Sequence, residues 1–340
     1  MSSASNPYLL NPFKSVWLQH INQGGQEVTF GFLKQLTCVK NTFGLWYSNV
    51  GKTNTKGISY TYMEPKTADY KGQVIVIYDV PNHSKPSECF KKNNPLKRLL
   101  IKQYPGFRCN LVHFKNSNDY LKSVLSKSSR YKIEQRTKKL EATYKISYNV
   151  FFGDMEEAEY QTLFSEFYTL LQKRFLFKKE RNNNLSPKEW EFYRQVSLPM
   201  IKAKQAALLV IYNQSKPIAI TLLNMSDTVM YDVLRVFDTD YATYGLGFIG
   251  IVKQLDWCFE NNYCILDFSK GYYPYKQHVT NEDYWLEYHV YYDSKSFKAT
   301  VIARILQAFF KFKYLLRTFN VNNSLVKFHF YKEKISFKTK

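Results

Sequence analysis

Apolar and polar positions follow two periods along this chain, and the changes of period mark out its elements. Val74-Ile-Val-Ile-Tyr78 is a short β-branched run and predicts a buried strand. Leu99-Leu-Ile101 and Leu111-Val-His-Phe114 are weaker strand candidates. From residue 119 to 144 the spacing turns helical, with Leu121, Leu125, Tyr131, Ile133 and Leu140 set among basic residues. Asp154-Met-Glu-Glu157 offers a helix cap with a carboxylate three residues on. The helix after it would present Leu163, Phe164, Phe167, Leu170 and Leu171 on one face. Ser186-Pro-Lys-Glu189 is a stronger start, because proline suits a first helical turn. Three strands follow at 206–212, 218–223 and 228–236. The turns between them are short, which predicts an antiparallel meander. Tyr244-Gly-Leu-Gly-Phe248 then opens a helix over 248–260, an apolar strand at 264–268 and a polar, aromatic loop ending at Gln277. This order is an α+β pattern and not a doubly wound one. Residues 300–317 predict a basic amphipathic helix, with Ile302, Ile305, Leu306, Phe309, Phe312 and Leu316 opposed by Arg304, Lys311 and Arg317. Such a helix lies on an anionic membrane or packs on the domain, and packing is the commoner use of an apolar stripe.

Composition narrows the function classes. The 340 residues include 28 Tyr and 26 Phe and are 45% apolar, which supplies real cores and argues against disorder. The net charge of +20 is uneven: residues 84–145 hold 16 Lys and Arg against 4 Asp and Glu, and residues 295–340 hold 11 against 1. Two basic zones around a near-neutral centre suggest a charged surface beside a separate working site, or simply solvated faces. Cys38, Cys89, Cys109, Cys258 and Cys264 form no paired spacing, so a reducing, cytoplasmic setting is expected. The stretch Met1-Ser-Ser-Ala-Ser-Asn-Pro7 lacks a signal-peptide pattern, which agrees with a cytoplasmic protein, peripheral to a membrane at most. The histidines at 20, 83, 113, 278, 289 and 329 have no metal-ligand spacing, so no metal is expected. Gly51-Lys-Thr53 is not a phosphate-binding loop, because the required earlier glycine is Trp46.

The chemistry concentrates at residues 244–277. A Gly-x-Gly turn before a helix exposes main-chain N–H groups at the positive end of the helix dipole. Tyr244, Gly245, Leu246, Gly247 and Phe248 are therefore candidates for binding an anionic donor, unless the glycines serve only a tight turn. Asp267 ends an apolar strand, where it either caps a turn or acts as base toward an acceptor. Lys276 could steady an oxyanion and Tyr275 could protonate a leaving group, the alternative being an ordinary exposed Tyr-Lys pair. Tyr231, Asp232 and Arg235 alternate faces with Val233 and Val236 on the preceding strand and are candidates for the acceptor cleft.

The element order, with the Gly turn between the third strand and a helix, resembles the GNAT acyltransferase fold. Ser126-x-x-Ser-Arg-Tyr-x-Ile-x-x-Arg-x-Lys-Lys-Leu-Glu141 resembles the opening helix of the CelD-like and Fem-like branch. Gly247, then Asp267-Phe-x-x-Gly271, then Pro274-Tyr-Lys276 resembles the C-terminal signature of that branch. The resemblance covers roughly residues 70–290. It implies a mixed, largely antiparallel sheet with flanking helices and two GNAT-like lobes: 1–125 a divergent first lobe, 126–294 the acyltransferase lobe, and 295–340 a basic helix and tail. It implies an activated donor, acyl-CoA or acetyl-CoA, and an amine or hydroxyl acceptor, with Gly271 beside it and a setting in cell-envelope or polysaccharide metabolism. The first position of the usual GNAT phosphate loop is Ala242 here and lacks the charged or amide anchor. Fem-like members use aminoacyl-tRNA, so tRNA stays open as the donor's carrier. A non-catalytic adaptor on nucleic acid or anionic lipid is the remaining alternative.

Overall fold

The computed structural model describes residues 6–23, 25–84, 94–180 and 182–318. Cys89 and the tail after Thr318 lie outside the described residues. In chain order the elements are α1 (Phe13–His20), β1 (Glu27–Thr29), β2 (Leu33–Lys34), β3 (Thr37–Lys40), β4 (Tyr47–Asn49), β5 (Thr61–Tyr62), α2 (Thr67–Tyr70), β6 (Val74–Pro81) and β7 (Leu96–Asn110). Then come α3 (Ser117–Val124), α4 (Lys127–Thr143), β8 (Ile146–Phe151), α5 (Glu157–Lys178), α6 (Pro187–Lys202), β9 (Ala206–Asn213), β10 (Lys216–Met225) and β11 (Val229–Phe237). Last are α7 (Leu246–Glu260), β12 (Ile265–Lys270), α8 (Pro274–Val279), β13 (Glu282–Asp293) and α9 (Phe297–Thr318). This is an α+β fold, as the sequence pattern predicts, with the mixed, largely antiparallel strands and flanking helices that the family resemblance implies.

The chain divides into two units, each assembled from separated stretches. Among the described residues, the first runs to Gly106 and takes in Ser269–Tyr272 and the chain from Asp283 to Thr318; the second holds Phe107–Phe268 and Tyr273–Glu282. The expected lobe boundary at residue 125 thus lies between α3 and α4 of the second unit, and α9, expected to stand apart, is counted with the first. In the first unit the strand order is β1-β3-β4-β6-β13-β7. The pair β4–β6 is parallel, while β1–β3, β3–β4 and β6–β13 are antiparallel. Ala299, Ala303, Leu306 and Phe310 of α9 close its core over Val74, Val76, Ile101, Tyr288 and Val290. The expected packing of the terminal helix is therefore real, although through a face centred elsewhere than the predicted stripe.

The second unit is the meander β8-β9-β10-β11, extended by β12, which pairs with β11 in parallel. Leu246, Ile249, Leu255 and Cys258 of α7 enter one core cluster with Leu209, Leu223, Met230 and Leu266. Helices α5 and α6 pack on the same strands, with Phe164, Phe167 and Trp190 in mutual ring contact.

Three local expectations fail for identifiable reasons. The long helix over 119–144 breaks at Leu125, which is extended, because Ser126 caps α4 by accepting from the Ser129 N–H. The stretch 111–114 is a turn, since Asn110 accepts from the Val112 N–H and ends β7. Asp154 does not cap α5, whose cap position is Glu156 with no side-chain bond.

Candidate functional site

Asp238 sets the turn that precedes α7. Its carboxylate, 1% exposed, accepts from the Asp240 N–H at 3.1 Å, from Lys173 at 2.5 Å and from Lys216 at 3.3 Å. Burial pushes this carboxyl up, but those three donors outweigh it and hold the acid below its usual range. A 3-10 turn over Thr239–Tyr244 then delivers Gly245, whose φ of 69° is left-handed and suits glycine. Gly245 is the N-cap of α7 and brings no side chain to its first amides. The N–H groups of Leu246 and Gly247 belong to the first turn, where a helix has no carbonyl to offer them. Tyr244, Gly245, Gly247 and Phe248 are half-buried, while Leu246 points into the core.

Strands β11 and β12 pair at Val229–Ile265, Met230–Leu266 and Tyr231–Asp267, and the described ladder ends there. Strand β11 continues to Phe237 against β10, with one change of register: Leu223 faces Asp232, but Leu222 faces Leu234. Val233 is thus an extra residue, a β-bulge. If Val233 instead took a regular ladder position, Asp232 and Arg235 would point to opposite faces, as strict alternation predicts. With the bulge they share a face, and Arg235 Nη1 lies 3.5 Å from Asp232 Oδ2. The Arg235 guanidinium sits 5.7 Å from the Phe268 ring and 5.0 Å from the Tyr275 ring, with Nη1 3.4 Å from the Gly247 carbonyl. One cation therefore touches β12, α8 and the first turn of α7.

The strand-end residues differ from an exposed polar cluster. Lys276 is buried, and its ammonium donates to the Phe268 carbonyl at 2.8 Å. Tyr275 is half-buried in α8, a helix where the sequence pattern predicts loop. Burial pushes its phenol up to about 12 against the lowering effect of Arg235, so it is a protonated donor at neutral pH. Asp267 is buried beside Tyr231. Burial, with the Asp267 charge added, raises the Tyr231 phenol, and Arg108 counters in part. Arg108 in turn makes a two-pronged ion pair with Glu282, at 2.9 and 2.7 Å. Gly271 has a φ of 103°, donates to the Pro105 carbonyl and is counted with the first unit.

Sequence reasoning missed the cations around the α7 turn. A Cβ added at Gly245 would lie 3.3 Å from Arg136 Nη1 of α4. Lys139, on the same helix, stands 5.9 Å above the Tyr244 ring. Arg174 of α5 stacks 4.0 Å over the Phe237 ring, against which a Cβ at Gly247 would press at 3.2 Å. Burial first, and then the charge of Arg235, pull the Arg174 guanidinium below its ordinary pKa. Arg136, Lys139 and Arg174 thus stand around the first turn of a helix N-terminus, an arrangement chemically suited to an anion. The position of Arg136 and Lys139 in the basic run of α4 was the only signal for them. Among the described residues no group of three His, Cys, Asp or Glu could hold a metal.

The model of the acetyltransferase (GNAT) domain family matches residues 127–277, the stretch that carries all of this geometry except Pro105, Arg108 and Glu282. Over this stretch the chain is similar to GNAT domains. No curated protein matches the sequence. Among solved structures, FemX is 9% identical, with 90% of this chain and 96% of FemX covered at a TM-score of 0.55. A conserved protein of unknown function from Bacteroides thetaiotaomicron is 11% identical, with 84% and 91% covered at a TM-score of 0.52. At these identities the likeness is one of fold, and it extends beyond the matched stretch over most of the chain. The Gly245-x-Gly247 turn, the parallel pair β11–β12 and the bulge all lie within the matched stretch, whose loop has Ala242 in place of a charged anchor.

Proposed function

We propose that this GNAT-like domain transfers an acyl group from a coenzyme A thioester to an amine or hydroxyl. The observation that carries the reading is the ring of cations, Arg136, Lys139 and Arg174, around the uncapped first turn of α7. The donor's phosphates would lie on the Leu246 and Gly247 amides, with Arg136 standing in for the anchor missing at Ala242. The thioester would reach the end of the β11–β12 ladder. There the acceptor attacks the carbonyl carbon, a C–N or C–O bond forms, the C–S bond breaks, Tyr275 supplies the proton that the leaving sulfur takes up, and the proton that the acceptor sheds passes through water to restore the phenol. Lys276 is a positioning residue in this scheme, tying α8 to the Phe268 carbonyl. Asp267 holds the Tyr231 and Arg108 side of the strand end. Calorimetric titration with coenzyme A tests the reading. The wild-type chain is expected to bind, and Gly247→Leu, which drives a side chain into the Phe237 ring, is expected to abolish binding with the circular dichroism unchanged. Binding that survives Gly247→Leu would defeat the assignment.

One observation favours a second donor. Lys127, Lys132, Arg136, Lys138 and Lys139 of α4 are exposed, which suits a polyphosphate backbone and hence aminoacyl-tRNA. tRNA binding that weakens steeply with salt, together with no response to coenzyme A, would select this donor; salt-insensitive or absent tRNA binding removes it.

A further inference from the structure

Helix α9 has two apolar faces, and the first unit uses one of them. Ala299, Ala303, Leu306 and Phe310 are buried in the core. Phe297, Val301, Ile305, Phe309, Phe312 and Leu315 are exposed, from 40% for Val301 to 86% for Phe297. Successive members are three or four residues apart. At about 100° per residue that spacing forms one continuous stripe on the side away from the core. Scattered exposed apolar residues are ordinary, whereas a contiguous stripe of large ones marks a contact surface.

The charges on α9 say what the stripe contacts. Exposed Arg304 and Lys311 border it on one side and exposed Lys313 on the other, while exposed Lys298 lies within its span at the start of the helix. Residues 297–318 contain no Asp or Glu. Over its 22 residues α9 is about 33 Å long. Among the described residues no helix is long and apolar enough to cross a bilayer. An apolar stripe edged by cations on both sides is instead the pattern of a helix lying flat at a lipid surface. A second copy of this chain would fit badly, since it would bring the same cations and no acid from its own α9 to a self-complementary interface.

We propose that α9 docks the protein flat on an anionic membrane. The stripe enters the boundary between headgroups and acyl chains, the flanking cations meet lipid phosphates, and the opposite face stays in the core of the first unit. This does not depend on the acyl-transfer reading, because no residue of the α7 turn or the strand end takes part.

Vesicle flotation of the full chain tests it, with equimolar phosphatidylglycerol and phosphatidylcholine against phosphatidylcholine alone. The wild-type chain is expected to float with the anionic vesicles, to stay behind with the neutral ones, and to be released by salt. Ile305→Asp with Phe309→Asp is expected to lower partitioning about tenfold or more, with the thermal midpoint held, since both side chains point away from the core. Arg304→Glu with Lys311→Glu should act in the same direction. The proposal is overturned if the wild-type chain ignores anionic vesicles. It also fails if the Ile305→Asp, Phe309→Asp chain floats as well as wild type, which would put the binding elsewhere. A wild-type dimer in light scattering that this double variant splits would assign the stripe to self-association instead.

Discussion

Replacing Arg174 by Gln separates binding from stability at the α7 turn, because the two should move in different ways. In the free protein Arg174 stacks on Phe237, a contact worth about 0.5–1 kcal/mol at a partly exposed site. Against this stand its own desolvation and the repulsion of Arg235, both of which already depress its pKa. Gln removes all three, so the net change in unfolding free energy is expected to stay within about 1 kcal/mol. With an anionic donor bound, the balance changes. A charge-assisted contact from guanidinium to phosphate is worth about 1.5–3 kcal/mol, which weakens binding roughly ten- to 150-fold when it is lost. The assay is a calorimetric titration with coenzyme A beside urea unfolding of the unliganded chain. Arg174→Lys should recover part of the affinity, since it restores charge without the planar fork. Unchanged affinity in Arg174→Gln would refute the reasoning, as would a loss of stability as large as the loss of binding energy.

Removing the Lys276 ammonium with Lys276→Met should cost about 1–3 kcal/mol in urea unfolding, because the buried Phe268 carbonyl loses a donor; an unchanged midpoint would rule out the positioning role. Gly245→Ala should cost about 1–2 kcal/mol through its left-handed φ, whereas Gly250→Ala, inside α7 with nothing near its Cβ position, should add about 0.5–1 kcal/mol of stability. The Tyr275 phenol is raised in the folded chain from 10.0 to about 12, so the protonated form favours folding. That contribution is complete below pH 10 and is lost as pH climbs toward 12. Tyr275→Phe should therefore flatten the alkaline limb of a stability profile, and an identical limb would contradict the burial argument.

The meander and the helix after the Gly turn were legible because their patterns are local. Strands β9 to β11 are short apolar runs divided by turn residues, and Gly245 marks the left-handed residue from which α7 starts. The strand-end residues were legible as a group, since Asp267, Tyr275 and Lys276 are near neighbours in sequence. Their environments were not: nothing local says that the Lys276 ammonium turns inward to the Phe268 carbonyl. Helix α8 was hidden by its aromatic approach, Tyr272-Tyr-Pro274, which reads as loop. The C-terminal half of β13 lacks alternation, because His289 to Asp293 are all buried. Arg136 and Arg174 reach the α7 turn from α4 and α5, a convergence that only tertiary packing defines. The return of Ser269–Tyr272 and α9 to the first unit has no compositional boundary to announce it.

The extra residue in β11 makes a one-residue deletion informative where such changes usually scramble a sheet. Asp232 and Leu234 already face consecutive residues of β10, so excising Val233 would close the strand into a regular ladder with every neighbour still on its present side. The cation and its acid would keep their partners, and only the bend between them would go. Such a variant would weigh the curvature of this strand by itself, apart from any side chain that the curvature carries.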